Sequence, residues 1–568
     1  MRKGRGQEGA GAEPRDHDGE VRGGSIVGAG PLGQNGAPAV GVVRPQLATS
    51  RAGMVTSPHT LASQVGARVL REGGDAIEAA VAIGAALAVT YPHFCGIGGD
   101  AIWMIADRGG RRATIMGIGQ APMQLPAHDG PIPLRGPAST SSSACAVDAW
   151  RVALEFSKAN WGGRRSLAEL MEPAIGFAEE GFPLSPSQAF WTGFRKSDLP
   201  DWPGFAKTFL PGGEPPRAGQ TFVQKELAES LRLIARNGPR DFYEGELAER
   251  LARGLAEAGS PLTAQDLKAT RASLEEPVAL DYRGLTLLAP PPPTQGIATL
   301  AIMGVLGRFD LAAVEEGSVE YYHLCVEAVK QAFLDRGRIA DPRAVRLPDD
   351  LWLGAGLLDR KAAAIDRNRA TPWPAVFRTG DTVFFGATDA EGRSVSVLQS
   401  TYFDWGSGVV VGDTGVLWQN RGAAFSADPR DPNVIAPGKR PFYTLNPGMA
   451  LKDGMPRLIY GTQGADGQPQ TLAVLLTRLI DYGLDPAEAL ARPRFLLGRT
   501  FSDSRDTLKL EASVGPAAFA ALGRMGHETS VIDANSPLAG QAGAILIGDD
   551  GLIQGAHDPR SDGEAVGI

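Results

Sequence analysis

The sequence predicts an α/β layered sandwich, and three observations carry that prediction. Helical periodicity dominates the first two thirds of the chain, at 60–90, 166–181, 224–236, 244–258 and 316–339, and returns at 469–483. Strand-like alternation dominates 382–418 and comes back at 543–553. The 568 residues are 43% hydrophobic and 21% charged, an ordinary composition for a globular protein with a large core. Helices first and strands later, with further helices between, fit helices layered on sheets.

Residues 1–45 are polar, Gly-rich and charged and read as a disordered tail. Within them, Gly28-Ala29-Gly30-Pro31-Leu32-Gly33 matches a dinucleotide fingerprint by letters only. Pro31 stands where the helix should begin, and no acidic residue follows at the required distance. The tail holds no apolar stretch of signal-peptide type, so a cytoplasmic location is expected. Gly73-Gly74 divides two helices, and the second, apolar from Ala79 to Val89, is too short to span a bilayer. Pro290 to Pro293 form a stiff loop ahead of a helix, which suits a spacer and a substrate channel equally. No internal repeat is present.

Residues 382–400 read as a β-hairpin. Val383, Phe385 and Ala387 alternate, Asp389-Ala390-Glu391-Gly392 make a turn, and a second alternating run ends near Ser400. Antiparallel pairing across this turn places position 382 opposite 399 or 400, give or take a bulge. A threonine opening a buried strand opposite a hydroxyl suits a nucleophile that becomes an N-terminus, because its own amine can activate it. An ordinary strand threonine fits the hairpin as well.

Net charge is −8 and no Lys/Arg run marks a nucleic-acid footprint. Three cysteines stand far apart without metal-ligand spacing and are expected as buried thiols in a reducing compartment. The seven histidines form no HExxH or paired-ligand pattern, and there is no GxSxG elbow. No metal or other cofactor is expected.

Six ordered blocks across residues 50–568 resemble the gamma-glutamyltransferase family. They are Gly73 to Ala82 (GGDAIEAAVA), Pro92 to Asp100 (PHFCGIGGD), Asp281-Tyr282-Arg283-Gly284 followed by Pro290 to Pro293 with Gln295-Gly296, Glu327 to Arg336 (EAVKQAFLDR), Lys439-Arg440-Pro441, and Asp558-Pro559-Arg560-Ser561. The resemblance implies a four-layer αββα sandwich of the N-terminal-nucleophile hydrolase type. It also implies a chain that cuts itself between Asp381 and Thr382 into a large piece, 46–381 behind the tail, and a small piece, 382–568. Thr382 is then the nucleophile and Ser400 the hydroxyl beside it. The loop Gly461 to Gly467 would supply backbone donors at Gly464 and Ala465 for the oxyanion, with alanine tolerable at 465 if φ stays negative.

The chain departs from the family where substrate charge is read. Ile118 stands where the resemblance places an arginine for the α-carboxylate, and Ala424 where it places an aspartate for the α-ammonium. Burying either substrate charge without its partner costs several kcal/mol. Tyr443-Thr444 replace a Ser-Ser pair after Lys-Arg-Pro, and Arg421 is new in the same region. A guanidinium there suits a carboxylate close to the scissile carbonyl, unless it pairs with Asp413 or Asp428 instead. The runs TVFFG, WQNRGAAFS and GADGQPQT resemble the family's oxamate amidohydrolase branch. The expected partners are a small carboxylate-bearing amide and the two pieces of one precursor, with a dimer of such heterodimers left open and neither nucleic acid nor membrane involved. A gamma-glutamyltransferase or glutathione hydrolase, a glutaryl-cephalosporin-type acylase, and a processing-dead scaffold (the residue before Thr382 is charged and Val383 follows it) are the alternatives.

Overall fold

A computed structural model describes residues 44–125, 130–347, 352–373, 381–499 and 503–568, with the backbone alone at Asp381. The expected disorder of the tail and its Gly-rich run therefore lies outside the described residues, apart from 44 and 45.

Two seven-stranded antiparallel sheets face each other among the described residues. The first runs, edge to edge, β1 (Ala48–Ser50), β13 (Ile553–His557), β12 (Ala542–Ile547), β11 (Met455–Thr462), β10 (Gly448–Lys452), β7 (Leu285–Ala289) and β6 (Val278–Tyr282). The second runs β14 (Glu564–Gly567), β2 (Gly53–Ser57), β8 (Asp381–Asp389), β9 (Ser394–Tyr402), β3 (Asp100–Ala106), β4 (Arg112–Gly117) and β5 (Ser273–Glu275). Met54, Met104, Leu288, Met449, Ile459 and Ile545 fill the space between them with apolar side chains from both sheets.

Helices cover the two outer faces. Helices α1 (Thr60–Arg71), α2 (Ala76–Thr90), α3 (Ala146–Asn160) and α4 (Leu167–Glu180) share one core with the outer face of the second sheet. Helices α5 (Gly296–Leu306), α6 (Val319–Phe333) and α7 (Gln468–Ile480) share another with the first sheet. Every residue of α2 and of α5 is buried, as helices apolar on all sides must be. Asp75 and Glu78 close a capping box at the start of α2, which fixes where it begins after the Gly73-Gly74 break. This is the predicted αββα sandwich. No helix among the described residues is long and apolar enough to cross a membrane.

The central hairpin, β8 and β9, threads both halves of the sequence into one sheet: β8 pairs with β2 from the N-terminal region, and β9 with β3. The glycines of the Gly96-Ile97-Gly98-Gly99 run let a loop press against the end of β9. A Cβ at Gly99 would lie 2.2 Å from the Ser400 carbonyl oxygen, and one at Gly98 2.2 Å from that of Leu417. The three cysteines are free and buried, as expected.

Candidate active site

Thr382 is fully buried at the head of β8. Val383 pairs with Gln399 and Asp381 with Tyr402, so the register shifts by one residue at 382 and leaves Thr382 facing Ser400 and Thr401. The hairpin thus has the predicted register, bulge included. Tyr402 takes the left-handed conformation, φ +83°, and its N–H donates to Ser400 Oγ at 2.8 Å. Gln468 Nε2 donates to Thr382 Oγ1 at 3.3 Å.

Gln468 opens α7, and the predicted oxyanion loop is the link between β11 and that helix. Gly464 has φ +123° and Ala465 φ +49°. The condition under which alanine is tolerable at 465, a negative φ, is not met: the loop turns through the left-handed region at both residues. For alanine that conformation costs about 1–2 kcal/mol, so neighbours must hold it. Ala465 carbonyl oxygen accepts from Gln295 Nε2 at 2.6 Å, and Gln295 Oε1 accepts from Arg336 Nη2 at 2.9 Å. Arg336 Nη1 donates to Asp466 Oδ2 at 3.0 Å, with its guanidinium between the rings of Phe333 and Phe442. Among the described residues, neither the Gly464 nor the Ala465 N–H donates to a protein acceptor. Two amides beside a helix N-terminus are suited to an oxyanion.

Gln295 and Arg336 are not singled out by the sequence reading, although both lie inside the six family-like blocks. EAVKQAFLDR carries five charged or amide residues, so Arg336 does not stand out in it by residue type. Gln295 also donates to the Thr444 carbonyl at 2.8 Å, tying the Gly464-Ala465 loop to the segment that leads into β10. Because Tyr443 N–H donates to the Pro293 carbonyl and Gln295 N–H to the Tyr443 carbonyl, the Pro-rich loop is packed against the site.

Arg421 is fully buried and lies between two aromatic rings, its Cζ 3.9 Å from the Tyr402 centroid and 4.5 Å from that of Tyr443. Nη1 donates to Thr444 Oγ1 at 3.4 Å, while Nε and Nη2 have no hydrogen-bond partner. The alternative pairings do not form: Asp413 binds Arg250, and Asp428 binds Arg430. Burial, the largest influence, pulls the Arg421 pKa down, countered by Tyr443, Tyr402 and Asp100. Tyr443 OH donates to Asp100 Oδ2 at 2.8 Å. Burial raises the Asp100 carboxyl to about 6, against the opposing influence of Arg421 and of hydrogen bonds from Tyr443 and the Cys145 N–H.

Ile118 packs with Met116, Phe384 and Tyr443, and Ala424 with Tyr402 and Phe403. Both positions that the resemblance reserves for charged ligands are apolar contacts supporting the two tyrosines around Arg421.

One group of possible metal ligands does assemble in space, despite the lack of a sequence pattern. His323, Glu327 and His527 place their ligand atoms within 4.8 Å of one another. Each is already engaged. His323 Nδ1 and His527 Nε2 share a hydrogen bond of 2.8 Å, and His323 Nε2 faces the Asp366 carbonyl at 2.8 Å. Glu327 accepts from Lys330 Nζ at 2.8 Å and from Thr371 N–H at 3.1 Å. With the Lys330 ammonium on the carboxylate, the cluster serves as a lock joining residues 366–371 to α6 and to the region around His527.

The family model for gamma-glutamyltranspeptidase matches residues 62–568. The chain belongs to the gamma-glutamyltranspeptidase family. It is 45% identical over 521 residues to the oxamate amidohydrolase proenzyme of Klebsiella pneumoniae, covering 91% of this chain and 98% of that one. Over the same length and shares it is 41% identical to the glutathione hydrolase-like YwrD proenzyme of Bacillus subtilis. Among solved structures it is similar to a cephalosporin acylase from Bacillus halodurans, with a TM-score of 0.85, 31% identity, and coverage of 95% of this chain and 99% of that one. Within the gamma-glutamyltranspeptidase family, this chain is an enzyme of amidohydrolase type.

Proposed function

We propose that the protein is a self-processing threonine amidohydrolase whose substrate is a small amide carrying a carboxylate next to the scissile carbonyl, oxamate foremost. Arg421 carries this reading. A buried guanidinium with two unpartnered N–H-bearing nitrogens, Nε and Nη2, is a costly arrangement unless an anion completes it. It stacks directly on the ring of Tyr402, whose N–H donates to Ser400 Oγ, opposite Thr382 in the hairpin.

In the precursor, Thr382 Oγ attacks the Asp381 carbonyl carbon, the peptide C–N bond breaks, and the chain continues through an ester. That shift frees the Thr382 α-amine, and water then hydrolyses the ester, releasing the Asp381 carboxylate and restoring the Thr382 hydroxyl. An α-amine titrates near 8, so at working pH much of it is neutral and can take the hydroxyl proton. The substrate amide then acylates Thr382, with its oxyanion on the Gly464 and Ala465 N–H groups and its leaving nitrogen protonated to ammonia. Water cleaves the acyl-enzyme to the dicarboxylate.

The test is ammonia release by purified protein from a panel of short acid amides, with gamma-glutamyl-p-nitroanilide as the competing substrate. Ammonia from oxamate without release of the chromophore is expected; the reverse result replaces this proposal with a gamma-glutamyl hydrolase. A larger carboxylate-bearing acyl group is a second reading, favoured by the likeness to the cephalosporin acylase. Turnover of glutaryl amides in preference to oxamate would select it.

A further inference from the structure

Gln468 holds an anomaly that the proposed reaction does not yet use. Its side chain is fully buried, and Nε2 donates to Thr382 Oγ1 at 3.3 Å, yet Oε1 has no hydrogen-bond partner. A buried amide oxygen without a donor is rare in a folded protein and asks for a ligand or a second state that satisfies it. Its backbone is set as the first residue of α7, with Pro469 following in the opening turn, and its side chain is enclosed on all sides.

The second state is supplied by the chain itself. Before cleavage, Thr382 nitrogen is a peptide N–H; afterwards it is an amine with two or three hydrogens, one carbon away from the side chain that Gln468 already holds. We propose that Gln468 is a positioning residue that receives this new α-amine, its Oε1 accepting an amine N–H while Nε2 remains on Oγ1. This rests on Thr382 being the processed nucleophile. With one N–H tied to Oε1, the amine's lone pair is left for the hydroxyl proton. Because Oγ1 accepts from Nε2, its own hydrogen can point at the amine. The N-terminal end of α7, positive by its dipole, favours the neutral amine, so an acceptor on that same turn locates the base without charging it.

The experiment compares wild type, Gln468→Glu and Gln468→Met as the processed protein. A variant that does not cut itself is made by coexpressing residues 1–381 with a 382–568 piece whose initiator methionine is trimmed. N-terminal sequencing of the self-processed wild type tests the nucleophile assignment alone: a first residue other than Thr382 removes that reading. The pH dependence of cyanate carbamoylation of the amine, followed by mass spectrometry, tests the contact. A carboxylate at 468 should raise the pH midpoint by about one unit, and methionine should lower it. Gln468→Met should also lower kcat on oxamate by about 10–100-fold with KM within about twofold. Identical amine titration in all three proteins overturns the proposal, even if Thr382 is confirmed as the nucleophile.

Discussion

Tyr402 links Ser400, which faces Thr382 across the hairpin, to Arg421: its backbone N–H donates to Ser400 Oγ, and its ring lies 3.9 Å from the Arg421 guanidinium. The left-handed turn at Tyr402, φ +83°, makes this possible, because it swings the ring off the line of β9 just where the bulge opens opposite Thr382. Through Gln468, Gln295 and Thr444, the Gly464-Ala465 loop, Thr382 and Arg421 belong to one hydrogen-bonded assembly.

Arg421→Ala should lower kcat/KM for oxamate by about 100-fold or more, the usual scale for removing one partner of a buried charged pair. An uncharged amide of equal size should lose much less. Equal losses on the charged and the uncharged substrate, measured by ammonia release, would make Arg421 a support for Tyr402 and Tyr443 only. Arg421→Lys should rescue little, since an ammonium cannot replace the planar contact with both rings.

Thr382→Ala should leave the 59.6 kDa chain whole, where the wild type gives pieces of about 40 and 20 kDa on a denaturing gel. Cleavage at the same bond in the variant would show that another group attacks Asp381 and would end the threonine mechanism.

At Ala465 the backbone makes its own prediction. Glycine relieves a left-handed strain of about 1–2 kcal/mol but adds a similar freedom to the unfolded chain, so Ala465→Gly should change stability by less than about 1 kcal/mol and still process. A β-branched side chain tolerates φ +49° far less well. Ala465→Val should slow both self-cleavage and hydrolysis, read as precursor accumulation and a lower kcat. If valine is as active as alanine, the Ala465 N–H is not an oxyanion donor.

How much of this is legible in the sequence follows the range of the interactions involved. The hairpin register, the split at Gly73-Gly74 and the apolar helices α2 and α5 come from local alternation and periodicity, which the sequence records directly. The loss of charge at Ile118 and Ala424 is visible because it needs only a residue type at an aligned place. What stays hidden is pairing across long separations. Gln295, Arg336 and Asp466 meet from three distant segments, and so do His323 and His527. The sign of φ at Ala465 escapes the sequence for the same reason, since it is imposed by Gln295 from 170 residues away.

Asp100 supplies a pH test of the same assembly. Folding raises its carboxyl from an ordinary value near 3.8 to about 6, so between these values the folded chain holds a proton that the unfolded chain has released. The stability tied to this group is complete below about pH 4 and is lost as pH rises through 6, by about 3 kcal/mol in all. The Asp100→Asn side chain cannot ionise, although its Oδ1 can keep the hydrogen bonds from the Gly119 and Cys145 N–H groups. In an uncut Thr382→Ala background, the unfolding free energy of the protein with Asp100 intact, minus that of its Asp100→Asn variant, should therefore fall by about 3 kcal/mol from pH 4 to pH 8. Denaturant titration at a series of pH values measures the difference. If it stays flat, the carboxyl does not change its proton across this range, and the raised Asp100 pKa is refuted.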